Sequence, residues 1–343
     1  MSTNNTRNKL TTGAFIAVLV LSLPLIAGFF GRLHPVFDSF AHFRVHLAVL
    51  MAIAALPLFA SRYRKEGVAA LLLAVAAFTT TSNSLGLGAV HAGSFQPKSD
   101  EQPTYKLLQL NLRYNNPEPN KVLSLIGRLR PDVVTLEEVS DMWKEKLALL
   151  SSAYPYSIIC PYPNRVFGVA ILSSRPMADG AQANCYERGS LAIAPVNFGG
   201  KTVEVAALHL GWPWPFKQSR QISAVAQPLS LLGGTALLAG DFNATPWSAA
   251  TARVGKLGDL TMVPSVGPTW QWWRLPEFLR FSGLPIDQVF HKGDVIVNSA
   301  HTLVEAGSDH LPVLVEFSLK PTEKEQETVT ATVSAGKPVL PNG

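Results

Sequence analysis

Hydrophobic and polar positions divide the chain into a nearly uncharged N-terminal third and a longer part in which short patterns alternate. Residues 10–30 contain no charged side chain and would reach about 30 Å as a helix, enough to cross a bilayer. Residues 67–90 are also uncharged, and residues 45–60 reach spanning length only if residues 40–43 join them. The pattern predicts a membrane region over residues 1–91 with about three transmembrane helices. Buried helices of a soluble core, or a cleaved signal peptide for the first segment, remain alternatives.

The remainder of the chain has the pattern of one globular domain between two polar segments. Residues 92–103 are polar and contain Pro, which is typical of a linker, and residues 321–343 lack aromatic side chains, which favours a disordered tail. Within residues 104–320, short apolar runs of strand length alternate with helical spacings such as Val122, Leu125, Ile126 and Leu129. This alternation predicts an α/β (α+β) domain with its functional site at one rim of a sheet.

The charge distribution excludes one function class. The chain carries a net charge of +5, but residues 1–91 hold seven Lys or Arg and two Asp or Glu, whereas residues 92–343 hold 22 of each. A strongly basic DNA-binding domain is therefore not the default interpretation. Basic residues precede the first predicted span and separate the second from the third. The positive-inside rule then predicts a multi-pass membrane protein with a cytoplasmic N-terminus and, given three spans, a periplasmic or extracytoplasmic domain.

The cysteine content is low. Two cysteines, Cys160 and Cys185, are too few for a disulfide scaffold or a zinc-finger array. One disulfide in an exported domain and two buried free thiols both remain open.

Polar residues follow several of the predicted strands. Each alone is more typical of a turn or a helix cap, but as a set they would meet at one rim of a sheet. Carboxylate and amide oxygens form a hard ligand set suited to Mg²⁺ or Mn²⁺, and a nearby His can contact a phosphoryl oxygen or act as a general base. The set consists of Asn111, Glu137, Glu138, His209, Asp241, Asn243, Asp287, Asp309 and His310. This composition points to metal-assisted hydrolysis of a phosphate ester.

The motifs that carry these residues resemble those of the endonuclease/exonuclease/phosphatase superfamily. The resemblance covers residues 105–319 and rests on segments that occur in the family's order: LNLR, PDVVTLEEV, GVAILSSRP, HLGWPWP, GDFNATP, IDQVF and SDHLPV. It implies a four-layered α/β sandwich of two packed, mostly antiparallel sheets with helices outside. It also implies a hydrolase that attacks a phosphate ester in line with water.

The resemblance further implies a role for each matching position. Metal-binding positions are Asn111, Glu138 and Asp309, and the choice of Glu138 over Glu137 depends on motif alignment alone. Catalytic positions are His209, Asp241, Asn243, Asp287 and His310, with Asp287 orienting His310 and Asp241 positioning or deprotonating the water. The implied cofactor is Mg²⁺ or Mn²⁺.

The substrate is the least determined feature. The sequence predicts a membrane-anchored phosphoesterase; a tethered nuclease and a non-catalytic binding module on the same fold remain alternatives. The motifs are compatible with a lipid head group, a nucleotide or a nucleic acid as substrate. The lipid bilayer is a further predicted partner, and no protein partner can be inferred. Tryptophans near the motifs could form an apolar wall for a base, sugar or lipid, or could simply pack: Trp212, Trp214, Trp270, Trp272 and Trp273.

Overall fold

A computed structural model describes residues 2–82, 84, 95, 102–272 and 276–321. Most of the predicted linker, residues 92–103, and nearly all of the predicted tail, residues 321–343, lie outside the described residues, as does Trp273. Both segment assignments therefore remain predictions.

The N-terminal region consists of four helices that pack together. They are α1 (Ser2–Ala27), α2 (Pro35–Ala41), α3 (Arg44–Ala55) and α4 (Arg64–Ser82). Pro35 occupies the first turn of α2, and the His34 ring accepts a hydrogen bond from the backbone of Val36, which stabilises the start of this helix. This short helix was not predicted, because Asp38 and Ser39 interrupt the apolar pattern.

Helix length supports fewer membrane spans than the sequence pattern predicts. Among the described residues, the segment Thr6–Phe30 is long and apolar enough to cross a membrane by itself. Pro35–Ala41 and Arg44–Ala60 reach this length only as a pair bent by 62°. The third predicted span, residues 67–90, is helical as far as Ser82, and all but one of its later residues lie outside the described part of the chain. The number of three transmembrane spans therefore stays a prediction.

Residues from Tyr105 onward form two packed six-stranded sheets. The strands are β1 (Tyr105–Asn111), β2 (Val133–Val139), β3 (Tyr156–Cys160), β4 (Gly168–Ser173), β5 (Asn184–Tyr186), β6 (Leu191–Phe198), β7 (Lys201–Leu208), β8 (Ala236–Asp241), β9 (Thr261–Met262), β10 (Asp287–Lys292), β11 (Val295–Thr302) and β12 (Val313–Leu319). The first sheet has the order β11-β12-β1-β2-β4-β3 and the second β5-β6-β7-β8-β10-β9. Each contains one parallel pair, β1 with β2 and β7 with β8, among antiparallel neighbours. The predicted mostly antiparallel arrangement is confirmed.

Helices cover the outer face of each sheet and complete four layers. They are α5 (Pro119–Leu129), α6 (Asp141–Ala148), α7 (Gln218–Ala224), α8 (Ala226–Ser230) and α9 (Ala249–Gly258). Alternate residues of a strand enter different cores: Leu107 is buried between the sheets, whereas Leu108 is buried beneath α5 and α6. Both faces of the central strands are therefore apolar, which explains their continuous hydrophobic runs. The predicted four-layered sandwich is confirmed.

Local deviations from the predicted elements have identifiable causes. Residues 218–230 form two helices, because Val225 adopts φ −89° and ψ 1° between α7 and α8. Three short strands at sheet edges, β3, β5 and β9, were not predicted. Cys160 and Cys185 form a disulfide that joins β3 to β5 and thus connects the edge strands of the two sheets.

The N-terminal helices contact the sandwich through α2. The buried carboxylate of Asp38 accepts hydrogen bonds from the backbone nitrogens of Ala249 and Ala250, at 2.7 and 2.9 Å. These nitrogens belong to the first turn of α9 and have no partner within that helix. Nearby, the indole nitrogen of Trp247 donates to the backbone oxygen of Ala41 at 2.7 Å. Asp38, a residue of the predicted membrane region, therefore caps helix α9 of the sandwich.

Candidate active site

At one end of the interior between the sheets, polar side chains replace the apolar ones. Each lies two or four residues from an interior-facing apolar residue, along the same strand or just beyond its end, so the alternation of the strand directs it to the same interior. Asn111 and Gln109 follow Leu107 in this way on β1. Asp241 follows Ala239 on β8, and Asp287 precedes Val289 on β10. Thr135 and Glu137 follow Val133 on β2, and His209 follows Ala207 at the end of β7. The fold thus gathers residues that are far apart in sequence.

Asp287, His310 and Asp241 form a buried chain at this end. Nδ1 of His310 lies 2.8 Å from Oδ2 of Asp287, and Nε2 lies 3.7 Å from Oδ2 of Asp241. The register pairs Asp287 with Asp241 on neighbouring strands β10 and β8. Their ligand atoms all lie within 4.8 Å of one another, a spacing that could also hold a metal ion. Because Nδ1 of His310 and Oδ2 of Asp287 are already hydrogen-bonded to each other, we interpret the group as an oriented imidazole between two carboxylates.

Burial and charge together determine the protonation of this chain. Burial alone would lower the pKa of His310, but the carboxylates of Asp287 and Asp241 outweigh it and raise the pKa to about 10. Burial raises the pKa of Asp241 to about 6, although His310 acts in the opposite direction. At neutral pH the imidazole of His310 is therefore protonated, and Asp241 is a stronger base than an ordinary aspartate.

Asn111 connects the two sheets at Asp241. Its Nδ2 donates to Oδ2 of Asp241 at 2.9 Å, and its Oδ1 accepts from the backbone nitrogen of Arg113 at 2.9 Å. The predicted metal-binding amide is thus engaged on both sides and orients the Asp241 carboxylate. It lies in the site, as the motif implied, and its role as a metal ligand remains a prediction.

Asn243 and His209 lie on the other side of Asp241. The backbone nitrogen of Asn243 donates to Oδ1 of Asp241 at 2.8 Å, and its Nδ2 donates to the backbone oxygen of Leu210 at 2.8 Å. Asn243 has a φ of 46°, so the turn after β8 folds its backbone back onto the aspartate. Nε2 of His209 lies 3.6 Å from Oδ2 of Asp241. The structure brings these predicted catalytic residues together.

A bulge in β2 gives Glu137 and Glu138 different surroundings. The pairing of β2 with β4 shifts between Leu136 and Val139, and Glu138 has a φ of 55°. Glu138 lines the same cavity as Asp309 and His310, and its Oε2 accepts from the backbone nitrogen of Tyr114 at 2.8 Å. The side chain of Glu137 is instead buried beneath the cavity. These positions agree with the choice of Glu138 made from the motif.

One buried residue behind the site, Gln109, escaped the sequence interpretation, and Glu137 lies beside it. Nε2 of Gln109 donates to Oε2 of Glu137 and to Oδ1 of Asp287, both at 2.8 Å. Burial, reinforced by the charge of Asp287, raises the pKa of Glu137 well above its ordinary value. Gln109 and Glu137 therefore orient Asp287 without reaching the cavity. Strand alternation could have revealed Gln109, since it lies two residues before Asn111 on the same face.

The cavity beside the chain has the donor set of a divalent cation site. It encloses about 390 Å³ and is lined by Glu138, His209, Asp241, Asn243, Asp309 and His310 among others. Three carboxylates, those of Glu138, Asp241 and Asp309, share this space and would repel one another unless a cation or protons balance their charge. Oxygen donors of this kind fit Mg²⁺ or Mn²⁺. A larger cavity, about 530 Å³, lies between residues 31–38 and helices α7 and α9 and contains none of the predicted site residues.

Aromatic and basic side chains form the outer wall of the site. The rings of Trp212 and Trp270 meet edge to face with centroids 6.1 Å apart, and both line the cavity. Three cations, Arg188, Lys217 and Arg220, line it as well. Trp214 is exposed and lines the larger neighbouring cavity, and Trp272 is exposed. Among the four of these tryptophans that the structure describes, Trp212 and Trp270 carry the predicted apolar wall.

Comparison with known proteins agrees with this geometry. The family model described as the Endonuclease/Exonuclease/phosphatase family matches residues 108–310, more than half of the chain. The chain belongs to this family. Enzymes of the endonuclease/exonuclease/phosphatase family are divalent-metal-dependent hydrolases of phosphate esters. The predicted family is confirmed.

Among curated proteins, the chain resembles members of a group named UPF0294. It is 34% identical over 133 residues to a UPF0294 protein of Vibrio vulnificus (strain YJ016), which is 36% of this chain and 42% of that protein. It is also 34% identical over 99 residues to a UPF0294 protein of Yersinia enterocolitica, which is 29% of this chain and 35% of that protein. Each match thus spans less than half of the relative's length.

Solved structures share the fold of the sandwich. An endonuclease/exonuclease/phosphatase from Bacteroides vulgatus superposes with a TM-score of 0.54 at 17% identity, over 64% of this chain and 100% of that chain. D. rerio TDP2 complexed with a single-strand DNA product superposes with a TM-score of 0.51 at 18% identity, over 63% and 99%. At this level of identity the likeness is one of fold.

Proposed function

We propose that this chain is a membrane-anchored, divalent-metal-dependent phosphoesterase that hydrolyses a phosphodiester or phosphomonoester bond by in-line attack of water. The observation that carries the proposal is the convergence of Asp287, His310 and Asp241 beside the acidic cavity that Glu138 and Asp309 line. A site that combines a buried base (Asp241), a buried protonated imidazole (His310) and hard oxygen ligands suits phosphate-ester hydrolysis.

His310 and Asp241 have complementary tasks in this reaction. The imidazolium of His310, oriented by the 2.8 Å contact with Asp287, donates a hydrogen bond to a phosphoryl oxygen and neutralises the charge that develops there. Asp241 accepts the proton of the attacking water, for which a pKa near 6 is well matched at neutral pH. Asn243 and His209 flank Asp241 and supply donors to the phosphoryl group.

Glu138 and Asp309, with Asn111 nearby, are the residues that would hold the metal ion. When bound, Mg²⁺ or Mn²⁺ would polarise the phosphoryl group and stabilise the leaving oxygen. The chain's own contribution is to keep these oxygens at the cavity. Glu138 is fixed by the backbone nitrogen of Tyr114, and the backbone oxygen of Asp309 accepts a hydrogen bond from Gln271 at 2.8 Å.

The packing of the N-terminal helices supports a membrane location. Small residues dominate their shared core, including Ala48, Ala55, Ala70, Ala74 and Ala77. Large apolar side chains face outward instead, for example Leu23 at 70% exposed and Leu72 at 64%. In water this would leave an unusually large apolar surface, whereas close packing through small residues with lipid-facing large ones is typical of transmembrane bundles. We propose that α1 crosses the bilayer, and that α3 with its extension to Ala60 and α4, both shorter than the segment Thr6–Phe30, cross it packed against α1.

The orientation of this bundle follows from its two ends. At one end, Arg7 donates to the backbone oxygen of Ala60, close to the basic residues Arg62, Arg64 and Lys65. The sandwich contacts the opposite end through α2. The positive-inside rule therefore supports a cytoplasmic basic end and an extracytoplasmic catalytic domain. The disulfide between β3 and β5 agrees with an oxidising compartment.

A tethered nuclease is the second candidate. Arg188, Lys217 and Arg220 line the cavity and could contact the phosphates of a nucleic acid. The third candidate is a binding module without activity. It would require that a complete set of residues of the kind used in catalysis has no catalytic role.

The experiment is a panel assay on the purified full-length chain. We expect hydrolysis of bis-p-nitrophenyl phosphate with Mg²⁺, loss of activity with EDTA, and recovery when Mg²⁺ or Mn²⁺ is restored. Plasmid DNA is assayed in parallel to detect a nuclease. If no phosphate ester is cleaved with either metal, the binding-module interpretation replaces the proposal; metal-independent cleavage would contradict Glu138 and Asp309 as ligands.

A further inference from the structure

We infer that the rim of the active-site cavity lies in the surface of the bilayer, and that the substrate is a glycerophospholipid phosphodiester taken directly from that bilayer. This inference rests on the proposed function, both the phosphoesterase activity and the membrane location. It names the substrate class of the site and the surface through which the substrate arrives.

Two segments near the cavity are fixed to the N-terminal helices: the loop of residues 211–217, which lines the cavity, and residues 276–283, which lead into Leu284 beside the cavity residue Trp270. The hydroxyl of Ser39 in α2 donates to the backbone oxygen of Trp214 at 3.1 Å. Nε2 of His46, in the first turn of α3, lies 2.7 Å from the backbone oxygen of Ser282. The loop of residues 211–217 and the segment of residues 276–283 are therefore held at the bundle end where α1 finishes and α3 begins.

Both loops expose large aromatic side chains at this place. Phe216 is 65% exposed and Phe281 is 73% exposed, and Trp214 is half exposed beside them. On the helices, Phe40 and Phe43 are also exposed at the same end of the bundle. Aromatic residues exposed next to the end of a transmembrane helix are typical of the interfacial belt of membrane proteins. Aromatic side chains are thus exposed on both the domain and the bundle, and we name Trp214, Phe216 and Phe281 the aromatic rim.

The aromatic rim leads directly into the catalytic cavity. The loop that carries Trp214 and Phe216 also contributes Trp212 and Lys217 to the cavity wall. An amphiphile could thus keep its apolar part against the aromatic rim while its phosphate reaches His310. Lys217 would face the phosphate at the depth of the lipid head groups.

The charge of the domain distinguishes a lipid from a nucleic acid. Residues 92–343 carry equal numbers of acidic and basic side chains. The affinity of nucleic-acid enzymes depends strongly on basic surfaces along the phosphate backbone, whereas a lipid contributes one phosphate and an apolar part. In the inferred reaction water adds to phosphorus, one phosphorus–oxygen ester bond breaks, and the released alcohol takes up the proton, which leaves a phosphomonoester.

The test separates docking on the bilayer from catalysis. The full-length chain is reconstituted in nanodiscs of phosphatidylcholine and phosphatidylglycerol with Mg²⁺, and lipid products are measured by ³¹P NMR. Soluble bis-p-nitrophenyl phosphate is assayed on the same sample. We expect the double variant Phe216→Ser with Phe281→Ser to lower lipid hydrolysis by about tenfold or more, because two aromatic side chains no longer hold the rim in the interface. The rate on the soluble ester stays within about twofold, since both side chains lie outside the cavity.

Leu231→Ser is the matched control. Leu231 is also an apolar residue of the domain, 71% exposed, but it lines a separate cavity beside Gln182 and Asn184. We expect this variant to leave both rates unchanged. Equal loss of lipid hydrolysis in the control would overturn the role of the aromatic rim.

A second measurement does not depend on activity. Because Cys160 and Cys185 are paired, Phe216→Cys introduces a single thiol that can carry a polarity-sensitive dye. In nanodiscs we expect a blue-shifted emission relative to the same dye attached through Leu231→Cys. Emission typical of water at both positions would overturn the docking surface. Cleavage of the soluble ester and of DNA without cleavage of lipid would overturn the inferred substrate, but the proposed phosphoesterase activity would stand. Absence of all cleavage would refute the proposed phosphoesterase activity itself.

Discussion

Asp241 is the residue on which the hydrogen bonds of the site converge. Asn111 and Asn243 donate to its carboxylate, and the rings of His209 and His310 lie 3.6 and 3.7 Å away. These neighbours come from both sheets and from the turn after β8. The carboxylate is therefore held in one orientation before substrate arrives, which reduces the reorganisation needed in the transition state.

Substitution of Asp241 or of His310 tests this arrangement. We expect Asp241→Asn and His310→Ala each to lower kcat on bis-p-nitrophenyl phosphate by about 10³-fold, because a proton acceptor or a charge-neutralising donor is lost. Circular dichroism and melting temperature of the variants are measured to check that the fold is kept. His301→Ala is the matched control, since His301 is exposed on β11 and outside the cavity. Near-wild-type turnover in either active-site variant contradicts the assigned roles.

The pH dependence of kcat/KM follows from the protonation of the same two residues. Asp241 must be deprotonated, so activity should rise with pH through about 6; His310 must be protonated, so activity should fall again through about 10. Asp287→Asn removes a negative charge beside His310 and should move the alkaline limb to lower pH. A profile in which Asp287→Asn leaves the alkaline limb in place would show that His310 does not produce it.

At the scale of elements, α9 depends on a residue from outside the sandwich. Asp38 of α2 accepts from two backbone nitrogens at the start of α9, and Ser248 accepts from the nitrogen of Thr251. The turn from Asp241 to Ser248 precedes this helix directly. The N-terminal helices thus help to fix the segment that contains Asp241 and Asn243.

Replacement of Asp38 should therefore weaken the sandwich. We expect Asp38→Ala to lower the free energy of unfolding by about 2 kcal/mol, since two buried backbone donors lose a charged acceptor. The measurement is thermal unfolding of the full chain in detergent, followed by circular dichroism. Asp38→Asn keeps one acceptor oxygen and should lose less. Equal stability of wild type and Asp38→Ala would mean that water replaces the carboxylate at no cost.

The elements themselves were largely predictable, whereas two features of the site were not. The continuous apolar run of β1 and the helical spacing in α5 determine these elements locally. The bulge that turns Glu138 toward the cavity depends on how β2 pairs with β4, which no local pattern reveals. The raised pKa of Glu137 depends likewise on burial next to Asp287.

At the scale of the whole molecule, the bundle and the sandwich have opposite surfaces. The bundle buries small residues and exposes large apolar ones, while the sandwich buries its apolar residues in three cores. A lipid environment for the first and an aqueous one for the second satisfies both. In the proposed location, the disulfide lies in the aqueous part.

Topology and disulfide can be checked in one preparation. In spheroplasts of a bacterial host, we expect added protease to remove the sandwich, because the proposed orientation exposes it outside the inner membrane. Mass spectrometry without reduction should show Cys160 and Cys185 joined. A sandwich protected until the membrane is lysed, with both thiols free for alkylation, would reverse the proposed orientation.

The sequence by itself determined the identity of the family and the layered fold, and it predicted the residues of the site. Strand alternation and the order of motifs such as GDFN and SDHLP are local properties, and they assign Asp241, Asn243 and His310 without coordinates. Only the tertiary structure decided the pairing of the cysteines, the backbone bulge at Glu138, the support of Asp287 by Gln109, and the capping of α9 by Asp38. These features join segments that are distant in the chain, so they arise from sheet pairing and burial and leave no local trace in the sequence.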